Sequence, residues 1–216
     1  MGTWTINPDD LGATRTGLGV AIGTDVLAPN GSGASLTALN ASNLASGTVP
    51  AARLPSTGKV LQVVSTALDT TLSISSSSTS AFSDLTGLAA TITPAATSSK
   101  ILIFGHTVVA SSVRATIHTS IFRGSTKLGA ANVSNRVGGT TATLPTNATI
   151  YALEMHTVPF TYLDSPSSTS ALTYQIKGTL GSSYSGTLYV NRTTNDTDAD
   201  YGARSRSSIT VMEIGA

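Results

Sequence analysis

The sequence of 216 residues predicts an all-β fold, and three observations lead to that prediction. About eight to ten short segments, separated by polar turns, have the apolar runs or alternation typical of β-strands. No segment shows the apolar period of an amphipathic helix. Charged residues are only 11% of the chain, whereas disordered chains are usually highly charged. We therefore expect a C-terminal jelly-roll-like β-sandwich head on a thin neck, preceded by an extended N-terminal anchor.

Residues 1–33 are predicted to form the anchoring arm. Trp4, Ile6 and Leu11 stand there among Gly, Asp, Asn and Pro, and Trp4 is the only tryptophan. Because free chain ends are usually frayed, bulky apolar side chains near the N-terminus indicate docking onto another surface. That surface is either a neighbouring copy of the chain or a larger particle, and the sequence leaves both open.

Residues 34–58 carry an apolar pattern that fits neither a helix nor a strand, because from Leu39 onward it recurs every five positions. The pattern consists of Leu36, Leu39, Leu44, Val49 and Leu54. One copy of this segment has too little bulk to bury these side chains, whereas identical chains wound together could turn them to a shared axis. We predict an oligomeric neck, and a flexible Ala/Ser/Gly linker is the alternative.

Residues 59–216 are predicted to form the head. The expected strands are 59–65, 71–74, 81–85, 88–93, 100–109, 115–122, 148–163, 171–177, 187–191 and 207–214. Segment 100–109 is almost continuously apolar, which indicates a central strand. Leu172, Tyr174 and Ile176 alternate along one face of a later strand. The last strand carries Ile209 and Val211, with Met212 and Ile214 placed less regularly.

The sharpest local motif is the run of alternate aspartates Asp196, Asp198 and Asp200, whose oxygens suit Ca²⁺. The motif lacks the glycine and the terminal acid of a calcium loop, since those positions hold Tyr201 and Ser207. A solvated acidic loop, paired with nearby Arg204 and Arg206, is therefore the favoured interpretation. We expect no bound metal and no cofactor.

Composition argues against several other classes of protein. The formal net charge of +1 gives no field for nucleic acid, and no apolar run is long enough for membrane insertion. The three histidines lack metal-ligand spacing, and no acidic pair stands on an evident strand face. We expect a protein that is not an enzyme, and a polysaccharide depolymerase is the alternative from another class.

The segment GTDVLAPNGSGASLTALNASNLASGTVPAARL resembles the shaft and neck of bacteriophage tail-fibre proteins. The blocks FSDLTGLAATITPAATSSKILIF, IFRGSTKLG, LTYQIKG and SITVMEI are similar to C-terminal domains of phage fibres, particularly those of environmental and cyanobacterial phages. The resemblance spans residues 23–216. It implies a homotrimer in the virion, docked on the tail or baseplate by its N-terminus. A capsid-attached head fibre or decoration protein is the alternative.

The resemblance also implies that the head binds a glycan or protein of the host surface. Binding residues of β-scaffolds usually lie on loops, and the polar loops here are 132–147, 181–186 and 191–205. The neck enters the head at Lys59, so we expect these loops at the opposite end. Their candidate contact residues are Asn132, Asn135, Arg136, Tyr184, Asn191, Arg192 and Tyr201. Amides and guanidinium groups bind hydroxyls and tyrosine rings stack on sugars, so a glycan is the first expectation.

Overall fold

The computed structural model describes residues 58–76, 81–144, 153–181 and 185–215. All of them belong to the unit Pro55–Ala216. The anchoring arm and the neck, apart from Gly58, lie outside the described residues. The predictions for these segments therefore stay predictions; they concern Trp4, Ile6, Leu11, Leu36, Leu39, Leu44, Val49 and Leu54.

Eleven β-strands make up the described part of the chain, which contains no helix. They are β1 (Val60–Leu68), β2 (Leu72–Ser76), β3 (Ser83–Ile92), β4 (Lys100–Ser111), β5 (Ile117–Arg123), β6 (Thr126–Lys127), β7 (Thr141–Thr143), β8 (His156–Asp164), β9 (Leu172–Leu180), β10 (Gly186–Val190) and β11 (Ser207–Ile214). Among these described residues, accordingly, no helix has the length and hydropathy of a membrane span.

The strands form two antiparallel sheets, named sheet I and sheet II. Sheet I has the order β1-β11-β4-β10-β2, and β8 also pairs with β4. Residues 100–106 of β4 pair with β11 and residues 109–111 pair with β10, so these two strands share one side of β4. Strand β8 runs along the other side. Sheet II has the order β3-β9-β5-β6, and β7 also pairs with β5.

The strand pairings are nested in the chain. Strand β5 pairs with β7, β4 with β8, β3 with β9, and β1 with β11. Nested antiparallel pairs distributed over two sheets are the connectivity of a jelly roll. The predicted all-β class and the jelly-roll-like sandwich head are confirmed.

The core lies between the two sheets and is built by alternate residues of the strands, as the two-residue period of a strand requires. In sheet I, β4 contributes Ile101 and Ile103 and β11 contributes Ile209 and Val211, all fully buried. In sheet II, Tyr174 and Ile176 of β9 are buried, and Leu172 is half-buried. The central place of β4 and the inward face of β9 agree with the sequence prediction.

Three details of the strands differ from the prediction. In the segment predicted as strand 148–163, β8 begins only at His156, and residues 153–155 are not in a strand. The segments 81–85 and 88–93 form one strand, because the turn signal at Gly87 makes a bulge instead of a chain reversal. Gly87 has a φ of 88° there. In β11, Met212 and Ile214 lie on the outer side, and buried Glu213 follows Ile209 and Val211 on the inner side.

A polar cluster joins the two sheets at the end where the chain enters β1. Asp164 of β8 accepts hydrogen bonds from the Arg123 guanidinium of β5 at 2.6 Å and from the Tyr174 hydroxyl of β9 at 2.7 Å. Burial, helped by the Asp164 carboxylate, raises the pKa of Tyr174 well above its ordinary value. Tyr174 therefore stays protonated as a donor, and the cluster fixes the spacing of the sheets.

Candidate functional site

The first part of the first predicted loop, 132–140, lies along the side of the sandwich. We call residues 128–140 the edge loop. Its start is tied to β5 by the bond from Leu128 N to Ile121 O, at 2.9 Å. Its end is tied to the same strand by the bond from Thr140 N to Thr119 O, at 3.0 Å. For residues 132–140 the prediction of a position at the end opposite Lys59 is wrong, because both ends of the edge loop pair with the middle of β5. The last part of the predicted loop, 145–147, lies outside the described residues.

The tip of the edge loop exposes Asn132, Asn135 and Arg136, as a binding loop requires. Asn132 also has an internal role. Its Oδ1 accepts hydrogen bonds from Lys127 Nζ at 3.1 Å and from Gly138 N at 2.9 Å. Asn132 therefore braces the loop, and Asn135 and Arg136 are the two predicted contact residues that it leaves fully presented.

Beside the edge loop, the outer face of sheet II carries two aromatic rings and two ammonium groups. We call Phe82, Phe122, Lys127 and Lys177 the aromatic cluster. The rings of Phe82 and Phe122 are 5.7 Å apart and inclined at 57°. Lys127 Nζ is 5.4 Å from the centre of the Phe82 ring, and Lys177 Nζ is 4.8 Å from that of Phe122. These distances are those of cation–π contacts.

The aromatic cluster has an excess of positive charge. Lys177 forms an ion pair with Asp84 at 2.8 Å, which leaves the Lys127 charge without a carboxylate partner in the cluster. Burial, with a smaller contribution from Lys127, lowers the pKa of the neighbouring His118, so this imidazole is neutral at pH 7. Ring faces next to ammonium groups can stack on a sugar and bind its hydroxyl or carboxylate groups.

A cleft of about 430 Å³ opens between the edge loop and strand β8. Tyr162 and Thr161 of β8 line one wall, and Thr140 lines the other. Gly129 and Gly139 shape the loop side, where an added Cβ would meet another backbone or side-chain atom at 2.5 and 2.9 Å respectively. Leu128 and Ala130 add apolar surface, so the edge loop offers a cleft of mixed polarity toward sheet I, in addition to the aromatic cluster on sheet II.

The second predicted loop, 191–205, begins with a residue that cannot contact a receptor. Asn191 is fully buried. Its Nδ2 donates to Leu68 O at 2.8 Å and Thr70 O at 3.0 Å, and its Oδ1 accepts from Ser207 Oγ at 2.7 Å. Ser207 Oγ in turn accepts from Val108 N at 2.9 Å. The prediction for Asn191 is wrong, because its side chain is buried where the pairing of β4 changes from β11 to β10.

Arg192 is also engaged within the protein. Its guanidinium donates to Thr193 O at 3.0 Å and Thr194 O at 2.9 Å and lies 4.5 Å from the centre of the Tyr189 ring. Tyr201, in contrast, is 58% exposed. Of the candidates in this loop, Tyr201 is the residue whose side chain is presented outward.

The aspartate run does not gather into a metal site. Asp196 lies between two guanidinium groups, 3.4 Å from Arg192 and 2.5 Å from Arg204. Asp198 and Asp200 are exposed, and nowhere in the described residues do three His, Asp or Glu side chains come together as a metal site would require. Arg204 pairs with the acidic loop as expected. Arg206 instead forms an ion pair with Asp69, next to β1.

The structure does not bring the two predicted loops together. The edge loop adjoins β8, whereas loop 191–205 is tied to the β1–β2 connection through Asn191. Strands β8 and β1 lie on opposite sides of the β4–β11 pair in sheet I. Tyr184, in the third predicted loop, lies outside the described residues. The edge loop with the aromatic cluster is therefore the candidate functional site.

Four residues of this site were not predicted from the sequence: Phe82, Phe122, Lys127 and Lys177. The sequence contains one signal for Phe122. Ile117, Thr119 and Ile121 are alternate residues of β5 and are buried, so Phe122 lies on the outer face. Similarly, Lys177 follows Ile176 onto the outer face of β9. The strand register that brings Phe82 and Lys127 to them cannot be read from alternation alone.

Comparisons with known proteins found no matching family model and no matching curated protein. The chain is similar to solved structures of infectious bursal disease virus. For the Gx strain and for the VP2 subviral particle, identity is 15%, the TM-score is 0.32, and the match covers 72% of this chain and 37% of that chain. For the Gt strain, identity is 13%, the TM-score is 0.33, and the coverage is 72% and 38%. The chain thus spans well under half the length of these proteins.

Proposed function

We propose that this chain is a structural protein of a phage virion, a trimeric tail fibre whose head binds the host cell surface. Residues 1–33 dock on the tail or baseplate, residues 34–58 form the trimeric neck, and residues 59–216 meet the host. The resemblance of the neck and head segments to tail-fibre proteins supports this role. The jelly-roll head is consistent with it, since such scaffolds carry binding residues on loops and edges.

The observation that supports binding most directly is the aromatic cluster beside the edge loop. Phe82 and Phe122 present apolar rings on the outer face of a sheet, where polar side chains are usual. Lys127 and Lys177 place ammonium groups over those rings. This combination suits a glycan with acidic groups, because the rings can stack on sugar faces while the ammonium groups bind carboxylates. A weak site of this kind, repeated on three chains, gains avidity without new contacts.

Cell binding by the purified full chain tests the host-binding role. The fluorescently labelled chain would be incubated with a panel of cyanobacterial and other environmental strains and measured by flow cytometry. We expect saturable binding to a subset of strains and its loss in Phe122→Ala, because that side chain holds both the ring pair and the Lys177 contact. Thr91→Ala, an exposed change on the outer face of the same sheet, is the matched control.

The outcomes separate the possible functions. Binding by the wild-type chain and by both variants would move the receptor site elsewhere on the head. A folded chain that binds no strain would argue against the host-binding role. Immunogold labelling of particles that carry the chain would then distinguish a tail position from a capsid position. Release of soluble sugar from purified surface polysaccharide would indicate a depolymerase.

A further inference from the structure

A row of four apolar side chains crosses the outer face of sheet I. Val63 of β1, Met212 of β11, Leu102 of β4 and Leu163 of β8 are consecutive register partners. We call these four residues the apolar row. Val63 is 53% exposed and Leu163 is 50% exposed, and the other two are half-buried. The solvent-facing side of an antiparallel sheet is normally polar, so an aligned apolar row there indicates a surface that another molecule covers.

No charged residue stands in the apolar row or in the row of register partners that follows it along the same face. Ser65, Thr210, Phe104 and Thr161 form the next row of register partners along the same face. Leu61 and Ile214 flank the row on the other side, where Lys100 is exposed at the start of β4. Copies of this face can therefore meet around a shared axis without like charges opposing each other in its centre. The outer face of sheet II differs, because it carries Asp84, Lys127 and Lys177.

The apolar row lies near the point where the chain enters the head. Gly58 N donates to Gly215 O at 2.5 Å, and Gly215 N donates to Lys59 O at 2.8 Å, so the chain joins the head beside β11. The 57 preceding residues include the predicted oligomeric neck and end at this point. Val63 lies five residues further along β1. A neck that gathers several chains at one axis would bring this end of sheet I from each chain toward the others.

We propose that the apolar row is the contact surface between heads, and that its occupant is the same face of another copy of this chain. The inference rests on the proposed trimer and extends it from the neck to the head. In this arrangement the outer face of sheet I turns to the shared axis. The outer face of sheet II, with the aromatic cluster, turns away from the axis toward the cell surface.

Site-specific spin labels test the arrangement in the full chain. The chain has no cysteine, so single cysteine variants carry one label each. We expect labels at Val63→Cys and at Leu163→Cys to be immobile and inaccessible to a water-soluble relaxation agent. A label at Thr91→Cys, exposed on the outer face of sheet II, is expected to be mobile and accessible. Inter-chain distances should be shorter from Val63→Cys than from Thr91→Cys.

A second substitution in the labelled chain tests the arrangement even if the labels themselves disturb the contact. Adding Val63→Glu to the Leu163→Cys chain should free the label, because it places charges in a dry interface. Adding Thr91→Glu should leave the label immobile. Mobile labels at both row positions in a chain that light scattering shows to be trimeric would overturn the inference and leave the proposed function standing. A monomeric chain would overturn both this inference and the proposed trimer. The receptor role is tested separately by the cell-binding experiment.

Discussion

Glu213 is a carboxylate in the core of the sandwich, and its protonation state links stability to pH. The residue is fully buried. Its Oε2 accepts from Gln62 Nε2 at 2.6 Å, and its Oε1 accepts from Ala95 N at 2.7 Å. Burial alone would raise the pKa of Glu213, but the hydrogen bonds outweigh burial and hold it below the ordinary value of 4.5. The folded head therefore favours the charged form more than the unfolded chain does.

We predict that the free energy of unfolding falls as the pH drops below about 4.5, the range in which the unfolded chain takes up a proton first. The pKa of Glu213 is lower in the folded head than in the unfolded chain. The contribution of Glu213 to stability is therefore complete above the unfolded pKa and is lost as the pH falls through the folded pKa. Glu213→Gln should be less stable by about 1–3 kcal/mol at pH 7, since its amide nitrogen cannot accept a bond. Its acid sensitivity should be weaker. Urea unfolding between pH 3 and 7 measures both, and parallel pH profiles would contradict the prediction.

At the scale of the strands, Asn191 determines how β4 exchanges one neighbour for another. Its φ of 60° is unusual for a residue other than glycine. Its amide joins the backbone of the β1–β2 connection to Ser207 at the start of β11. At the position where neither β10 nor β11 pairs with β4, Val108 N donates to Ser207 Oγ, which the Asn191 amide holds, and Val108 O accepts from Asn191 N.

We predict that Asn191→Ala lowers the free energy of unfolding by about 2–4 kcal/mol, because three hydrogen bonds of a fully buried side chain are lost. Asn191→Gly is the matched control, since glycine adopts a positive φ without strain. The glycine variant should be more stable than the alanine variant by about 1 kcal/mol, and less stable than the wild type. Urea denaturation of the three chains gives these values. A glycine variant as stable as the wild type would show that the backbone conformation alone matters.

The alternation in β9 and the apolar run in β4 predicted the strands and their buried faces, because both patterns follow directly from burial between two layers. The pattern predicts two separate strands on either side of Gly87, yet Gly87 only bends the single strand β3. The polarity of Asn191 predicted exposure, whereas internal hydrogen bonds allow it to be buried. The aromatic cluster depends on register between distant strands, which local pattern does not specify.

At the scale of the whole molecule, assembly is predicted to depend on the neck, which lies outside the described residues. We predict that Leu44→Asp or Leu54→Asp breaks the oligomer, because each would place a charge at a dry axis. Ser46→Asp is the matched control, since it puts the same charge between the apolar positions. Light scattering of the full chain measures the mass. An unchanged mass in both leucine variants would argue against the axial neck.

The adjacency of β1 and β11 has a consequence for biosynthesis. The hydrogen bond between Gln62 and Glu213 spans 151 residues of sequence. Strand β11 also separates β1 from β4, so sheet I stays incomplete until the last of the described strands has been synthesised. Pairing between such distant segments makes folding slow, because a long loop must close before its contacts form. The predicted neck precedes the head in the chain, so the prediction implies that chains associate on neighbouring ribosomes before any of their heads can close.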